Sequence, residues 1–197
     1  MIRAFYAAIA AMAAALVALA CAASASALTV SPSGDYELMT GNFQWTTTSN
    51  GQALTCELNS LELSLDGSGA GEAPSGTGTW SGCSNSLLGV FRFTQVADWP
   101  VTVQLTATPL RVEAVVQIPG SGLQISVAGC IFWAEGTIGL DAGGTSLPAV
   151  ANALSITTSS LRVSRNNGGF TCFAWPAGLA VTFTADYDLD RTMTVSG

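Results

Sequence analysis

Histidine and lysine are both missing from this chain, and each absence closes off chemistry. Without histidine there is no Ser-His or Cys-His dyad and no imidazole metal ligand. Without lysine there is no Schiff base and no phosphate-cradling P-loop lysine. Charge of either sign is scarce, since Asp, Glu and Arg together make up 10% of the residues. No G-x-G-x-x-G follows a strand pattern, so no dinucleotide site and no cofactor is expected. Serines and threonines are abundant, but no motif supplies a base to activate one of them. The expectation is a non-catalytic protein.

One long apolar run occurs, at the start. Arg3 gives a positive n-region, residues 4–20 are dominated by alanine, and Ala23-Ser24-Ala25 and Ala25-Ser26-Ala27 are small-x-small cleavage sites. This is the pattern of a signal peptide over residues 1–27, with a mature chain from about Leu28 to Gly197 forming one domain. Alanine is weakly hydrophobic and the cleavage sites follow at once, so a membrane anchor is the lesser reading, and no transmembrane segment is expected in the mature chain. The minority alternative is a lipoprotein anchored through Cys21, although the leucine expected three residues before it is displaced by one, to Leu19.

Cleavage leaves Cys56, Cys83, Cys130 and Cys172. An even number in an exported chain argues for two disulfides. Of three pairings, Cys56–Cys83 and Cys130–Cys172 are favoured, because each closes a moderate loop within one half of the chain. The rival, a metal site, has no C-x-x-C pair and no histidine to build on.

Formal net charge is −7, and −8 once Arg3 leaves, with five Arg against thirteen Asp and Glu. An acidic chain without lysine makes nucleic acid an unfavourable partner, and the same total disfavours anionic lipid. Solubility rests on Ser, Thr, Gly, Asn and Gln, a composition common among exported β-proteins.

Period-two patterns fill the mature chain. Val101, Val103, Leu105 and Ala107 alternate with Thr and Gln; beyond Pro109 the parity shifts to Leu110, Val112, Ala114, Val116 and Ile118, which places a turn or bulge at the proline. A similar switch falls at Asn59-Ser60. Ile131-Phe132-Trp133 reads as a strand buried on both faces. Leu179, Val181, Phe183, Ala185, Tyr187 and Leu189 point inward, against Thr182, Thr184, Asp186, Asp188 and Asp190. Asp66 to Gly78 is a Gly-Ser excursion, Asn166-Asn167-Gly168-Gly169 signals a tight hairpin, Gly143 to Pro148 is a break, and Pro148 to Leu154 is the one place for a short helix. The fold class expected is all-β: an antiparallel β-sandwich of about 8–11 strands, Greek-key or partly barrel-like.

Leu54-Thr55-Cys56, the stretch from Gly82-Cys83 to Phe93, Trp99-Pro100, Val127-Ala128-Gly129-Cys130, Thr171-Cys172 and a last strand bearing Tyr187 follow one another across nearly the whole mature chain. In this order of features the chain resembles a family of small secreted β-proteins, mostly from high-GC actinobacteria, with no activity assigned to them. The resemblance implies export, two disulfides and a β-sandwich, and it supplies no catalytic residue. The aspartate row near the C-terminus departs from it.

Three constellations bear on function. Asp186, Asp188 and Asp190 would stand on one strand face about 7 Å apart, a weak candidate for a divalent cation. The helix-loop calcium motif fails, because Arg191 and Gly197 occupy its glycine and glutamate positions, and a solvated acidic face is the stronger reading. Glu57, Glu62, Glu113 and Glu135 would have to pair across a cleft for glycoside hydrolysis, and the sequence pairs none of them. Of five tryptophans, Trp133 and Trp80 read as core. Trp99 and Trp175, each followed by proline, are the candidates for exposed stacking on a sugar. The functions expected are therefore a secreted or cell-envelope protein of structural or binding role, or a carbohydrate-binding module using exposed tryptophans. The partners expected are a cell-wall or extracellular glycan, or another copy of the chain.

Overall fold

A computed structural model describes residues 28–47, 53–73, 79–85, 88–107 and 110–197. The leader with Cys21, the end of the Gly-Ser excursion and Pro109 lie outside the described residues. Fifteen strands follow in order: β1 (Thr29–Ser31), β2 (Gly34–Thr40), β3 (Gln44–Thr47), β4 (Ala53–Thr55), β5 (Leu58–Leu65), β6 (Ala70–Ala73), β7 (Thr79–Ser81), β8 (Ser84–Asn85), β9 (Gly89–Gln95), β10 (Trp99–Ala107), β11 (Leu110–Val127), β12 (Cys130–Asp141), β13 (Ala149–Asn166), β14 (Ala180–Thr184) and β15 (Asp186–Ser196). A single 3₁₀ turn, Phe170–Ala174, interrupts them among the described residues.

All pairings are antiparallel, and they close into two rings. The first runs β15–β2–β5–β6–β10–β11–β12–β13 and returns to β15. The second runs β11–β12–β13–β14–β3–β4–β8–β9 and returns to β11. Each ring has eight strands, the number whose interior side chains just fill. The long strands β11, β12 and β13 belong to both. Val101–Ala107 of β10 pairs with Leu110–Val116, at one end of β11, while β9 pairs with Leu123–Val127, at the other. The all-β, antiparallel expectation holds, and its partly barrel-like form is carried further, since the large sheet closes into two fused rings rather than a simple sandwich. Every strand of the two rings has partners on both sides, and among the described strands β1 and β7, with one partner each, are left as edges.

The junction is built from irregular backbone. The register of β11 against β12 shifts between Ile118 and Leu123, across Pro119-Gly120-Ser121-Gly122, with Ser121 at φ 65°. Such a bulge bends a strand and lets it serve two barrels. Opposite it, Gly136 has φ 137°, and a Cβ there would stand 2.1 Å from the Ser160 carbonyl oxygen. Only glycine fits.

The inward faces differ between barrels. Aliphatic side chains fill the first, including Leu38, Leu63, Val103, Val112, Val116 and Leu154. Aromatics fill the second: Trp45 lies 5.8 Å from Phe93, 6.1 Å from Phe132 and 4.8 Å from Phe183, ring centre to ring centre. Outward positions are mostly Thr, Ser, Gln and Asp, the reverse of a barrel that spans lipid. Among the described residues no helix is long and apolar enough to cross a membrane.

Several local expectations are corrected. Ala149–Asn166 is an 18-residue strand, so residues 149–154 are not helical. The segment after Asn166 is a loop that returns only at Ala180, not a tight hairpin. Asn166 and Asn167 still shape its start: the Gly168 N–H bonds Asn166 Oδ1 at 2.9 Å. Trp133 is half-buried on the outer face with the Arg165 guanidinium 4.1 Å above it, so β12 is fully buried on one face only. The parity change near Asn59 marks the chain leaving the second barrel, where Leu54 and Cys56 are buried, and entering the first with Asn59 turned in toward Tyr187.

Candidate functional site

Both expected disulfides are present, Cys56–Cys83 and Cys130–Cys172. The second one matters for the site. Cys130 opens β12, and Cys172 sits in the middle of the 3₁₀ turn, so the bond ties the long β13–β14 loop to the end of the second barrel. Asn166 Nδ2 donates to the Trp175 carbonyl at 2.8 Å, and the Asn167 N–H bonds the Ile131 carbonyl at 2.9 Å. The loop is therefore held at both ends and in its middle.

The stacking candidates are not exposed. Trp99 is 1% accessible and its Nε1–H donates to the Gly122 carbonyl at 3.2 Å. Trp175 is 2% accessible and lies parallel to Phe132, 4.6 Å away at 7°. Proline directs its own backbone and that of the residue before it, but it does not choose which way the neighbouring side chain points. Trp99 falls on the inward parity of β10, and the β13–β14 loop folds Trp175 into the aromatic interior of the second barrel. Trp80 is half-buried, 5.6 Å from Phe93 and 6.4 Å from Trp99.

The surface aromatics are instead Phe170 and Phe173, 92% and 79% accessible, with ring centres 6.0 Å apart. Three residues apart on a 3₁₀ turn, they project on the same side, while Cys172 between them turns inward at 2% accessibility. The sequence carried a signal: two phenylalanines bracketing a cysteine immediately after a run of Asn and Gly. Strand parity does not reveal it, because this segment is not a strand.

On the outer face near this end the charged side chains of the strand rows are arginines. Arg92 on β9 lies in register with Ser126 on β11 and Ile131 on β12; Thr94, Gln124, Trp133 and Arg165 form the next row. Residues 43–56, 84–97, 114–134 and 142–185 contain no Asp or Glu. The strand segments that belong to the second barrel alone come from these stretches, and Glu135 on β12, in register with Arg162, and the exposed Glu57 beside Cys56 stand at its border.

The acidic residues gather on the first barrel. Asp186, Asp188 and Asp190 are all exposed on β15, as the row of alternate positions suggested. Beside them Glu37 stands directly across from Glu62, and Asp190 Oδ1 accepts the Glu37 N–H at 3.0 Å. Asp35, Glu37, Glu62 and Asp190 rim a shallow hollow of about 320 Å³ on this face. Asn42 Nδ2 donates to Asp186 at 3.4 Å. No group of three metal-ligating side chains forms among the described residues. At the edge of this face the Arg191 guanidinium lies 4.3 Å over the Tyr36 ring. Burial pushes the Tyr36 hydroxyl above its ordinary value, an effect that Arg191 opposes and Asp190 reinforces.

The four glutamates weighed for hydrolysis do not converge. Glu62 belongs to the acidic face, Glu57 is exposed next to Cys56, and Glu113 is buried with the Thr157 hydroxyl at 3.4 Å. Glu135 lines a cleft of about 510 Å³ at the barrel junction, where it is the one carboxylate and pairs with Arg162 at 2.9 Å. Among known proteins, no family model, no curated protein and no solved structure matches this chain.

Proposed function

We propose that the mature chain is an exported, non-catalytic binding protein of the cell surface or its surroundings, and that it makes contact through the Phe170/Phe173 end of its second barrel. The observation that carries this reading is the exposure of two adjacent phenylalanines on a loop pinned by a disulfide. Large apolar side chains held out in water cost solubility, and a patch of this kind marks an interaction site. Pinning the loop lowers the ordering cost of binding. Export is supported by the leader pattern and by two disulfides, which persist in oxidising surroundings. The non-catalytic reading is supported by the missing histidine and lysine and by glutamates that lie on separate elements.

A pull-down of Leu28–Gly197 on purified cell walls, insoluble glycans and lipid vesicles tests the assignment of the surface. Retention lost in Phe170→Ser/Phe173→Ser and kept in Glu37→Gln/Asp190→Asn is the expected result. The opposite pattern places contact on the acidic face and refutes it.

Carbohydrate recognition stays a second reading because Trp133 presents a half-buried ring on the outer face, in the carboxylate-free rows. It would show as glycan retention lost in Trp133→Ala.

A further inference from the structure

We infer that the partner of this end is the surface of an anionic lipid bilayer, with Phe170 and Phe173 entering the interface and Arg92 and Arg165 facing the headgroups. The inference rests on the contact surface proposed above and adds the class of partner. Net charge alone argues against it, since an acidic chain is repelled by anionic lipid. The fold removes the objection by sorting the charges. Six carboxylates cluster on β2, β5 and β15 of the first barrel, and the strand segments that belong to the second barrel alone carry none, with Glu57 and Glu135 only at its border.

At an ionic strength of 0.15 M the field of a charge decays over about 8 Å. A barrel strand of five residues is already about 17 Å long. The acidic face is therefore screened from a surface touching the far end of the molecule, which senses the nearby arginines instead. The same segregation orients the protein, with its acidic barrel held away from the lipid.

The shape of the tip agrees. The two rings stand out from the body, 92% and 79% accessible. Apolar rings on a projecting turn enter a soft apolar medium readily, and a flat polar polymer offers them less. Of the two cations, Arg165 keeps its guanidinium over Trp133, an arrangement suited to the headgroup layer, where amphipathic rings settle. The ion pairs formed among the described residues, Arg111–Asp141 and Arg162–Glu135, use neither Arg92 nor Arg165.

The test is co-sedimentation of Leu28–Gly197 with vesicles of phosphatidylcholine alone and of phosphatidylcholine with 30% phosphatidylglycerol, at low and high salt. Binding to the anionic vesicles that weakens with salt is expected. Arg92→Gln and Arg165→Gln should each lower it about fivefold, the equivalent of one headgroup-layer charge. Phe170→Ser/Phe173→Ser should lower it at least about tenfold. Circular dichroism checks that each variant keeps its β-signal. Failure to bind either vesicle while cell walls or glycans still retain the protein through Phe170 and Phe173 overturns the lipid inference and leaves the contact surface standing. Failure on every matrix removes both. If Phe170→Ser/Phe173→Ser instead abolishes concentration-dependent oligomers, with no vesicle binding, the occupant is a second copy and the lipid inference is wrong.

Discussion

Trp175→Ala should be among the most damaging single changes in the chain, although this tryptophan lies in a loop and precedes a proline. Its side chain is 2% accessible, stacks on Phe132 at 4.6 Å and meets Phe91 edge-on at 5.9 Å. Truncating a buried tryptophan leaves a cavity and costs about 3–5 kcal/mol. Two aromatic partners place the cost toward the upper end, since each such pair adds about 0.5–1.5 kcal/mol beyond area burial. For a domain of this size that corresponds to a fall in Tm of roughly 6–20 °C. Trp175→Phe separates the contributions. Trp175 Nε1–H has no protein partner, so removing it relieves a buried unsatisfied donor worth about 1–3 kcal/mol. That gain offsets much of the lost area, and the Phe variant should lie within about 1.5 kcal/mol of the parent. The assay is equilibrium unfolding in urea followed by circular dichroism, with Phe173→Ala as the surface control, expected within about 0.5 kcal/mol. A cost below about 1 kcal/mol for Trp175→Ala, at unchanged m-value, would refute the placement of this ring in the core and restore it as a surface candidate.

Replacing Cys130 and Cys172 together by alanine should cost about 4 kcal/mol on the chain-entropy model for a 42-residue separation, and Cys56 with Cys83 slightly less at 27, read as changes in urea midpoint. The Cys130/Cys172 variant should also weaken any Phe170/Phe173-dependent retention in conditions where the barrel remains folded, because the turn loses its tether. Gly136→Ala should destabilise by about 2 kcal/mol or more, since its Cβ would collide with the Ser160 carbonyl and its φ is positive; thermal melts check this. Tyr187 supplies the pH dependence. It is buried and donates to Asn59 Oδ1, and burial pushes its hydroxyl far above the ordinary value of 10. Above pH 10 the unfolded chain releases this proton and the folded chain keeps it, so stability falls as pH rises, by up to about 1.4 kcal/mol per unit. Tyr187→Phe should flatten that alkaline slope in urea unfolding between pH 9 and 11.

Strand existence was legible because parity is a local property. The runs at Val101–Ala107, Leu110–Ile118 and Leu179–Leu189 carry their inward sets in the residues themselves, and of the side chains described in those sets the structure buries all but Leu105, Leu110 and Leu189. The disulfide pairing was legible too, since loop size favours what the fold brings together. Ring closure was not. It depends on which distant strands meet, as when Ala149–Ser155 of β13 finds β15 while Leu161 and Arg162 of the same strand find β14. Nothing in an 18-residue alternating run announces that its two halves belong to different barrels. The bulge residues Pro119-Gly120-Ser121-Gly122 are the one local trace, and they sit inside a run that reads as continuous strand pattern on either side.

The proposed contact surface is illegible in the sequence for a different reason. Net charge is a single number, and a single number cannot represent a molecule whose charges are sorted. The carboxylate-free stretches 43–56, 84–97, 114–134 and 142–185 were present in the sequence, but their meaning depends on their being neighbours in space. Ring closure makes them neighbours: β3 and β4 from the first stretch, β8 and β9 from the second, and half of each shared strand from the third and fourth wrap into one barrel. Once that is so, one net charge describes neither end: Arg92 and Arg165 stand in neighbouring outer rows of the aromatic barrel, and six carboxylates stand on β2, β5 and β15. The same topology explains why Trp99 and Trp175 misled. A barrel end must be plugged, a loop supplies the plug, and a tryptophan beside a proline is as suitable for plugging as for display. What distinguishes Phe170 and Phe173 is the tether: with Cys172 fixed to Cys130 between them, neither ring follows the cysteine inward, and both remain in solvent.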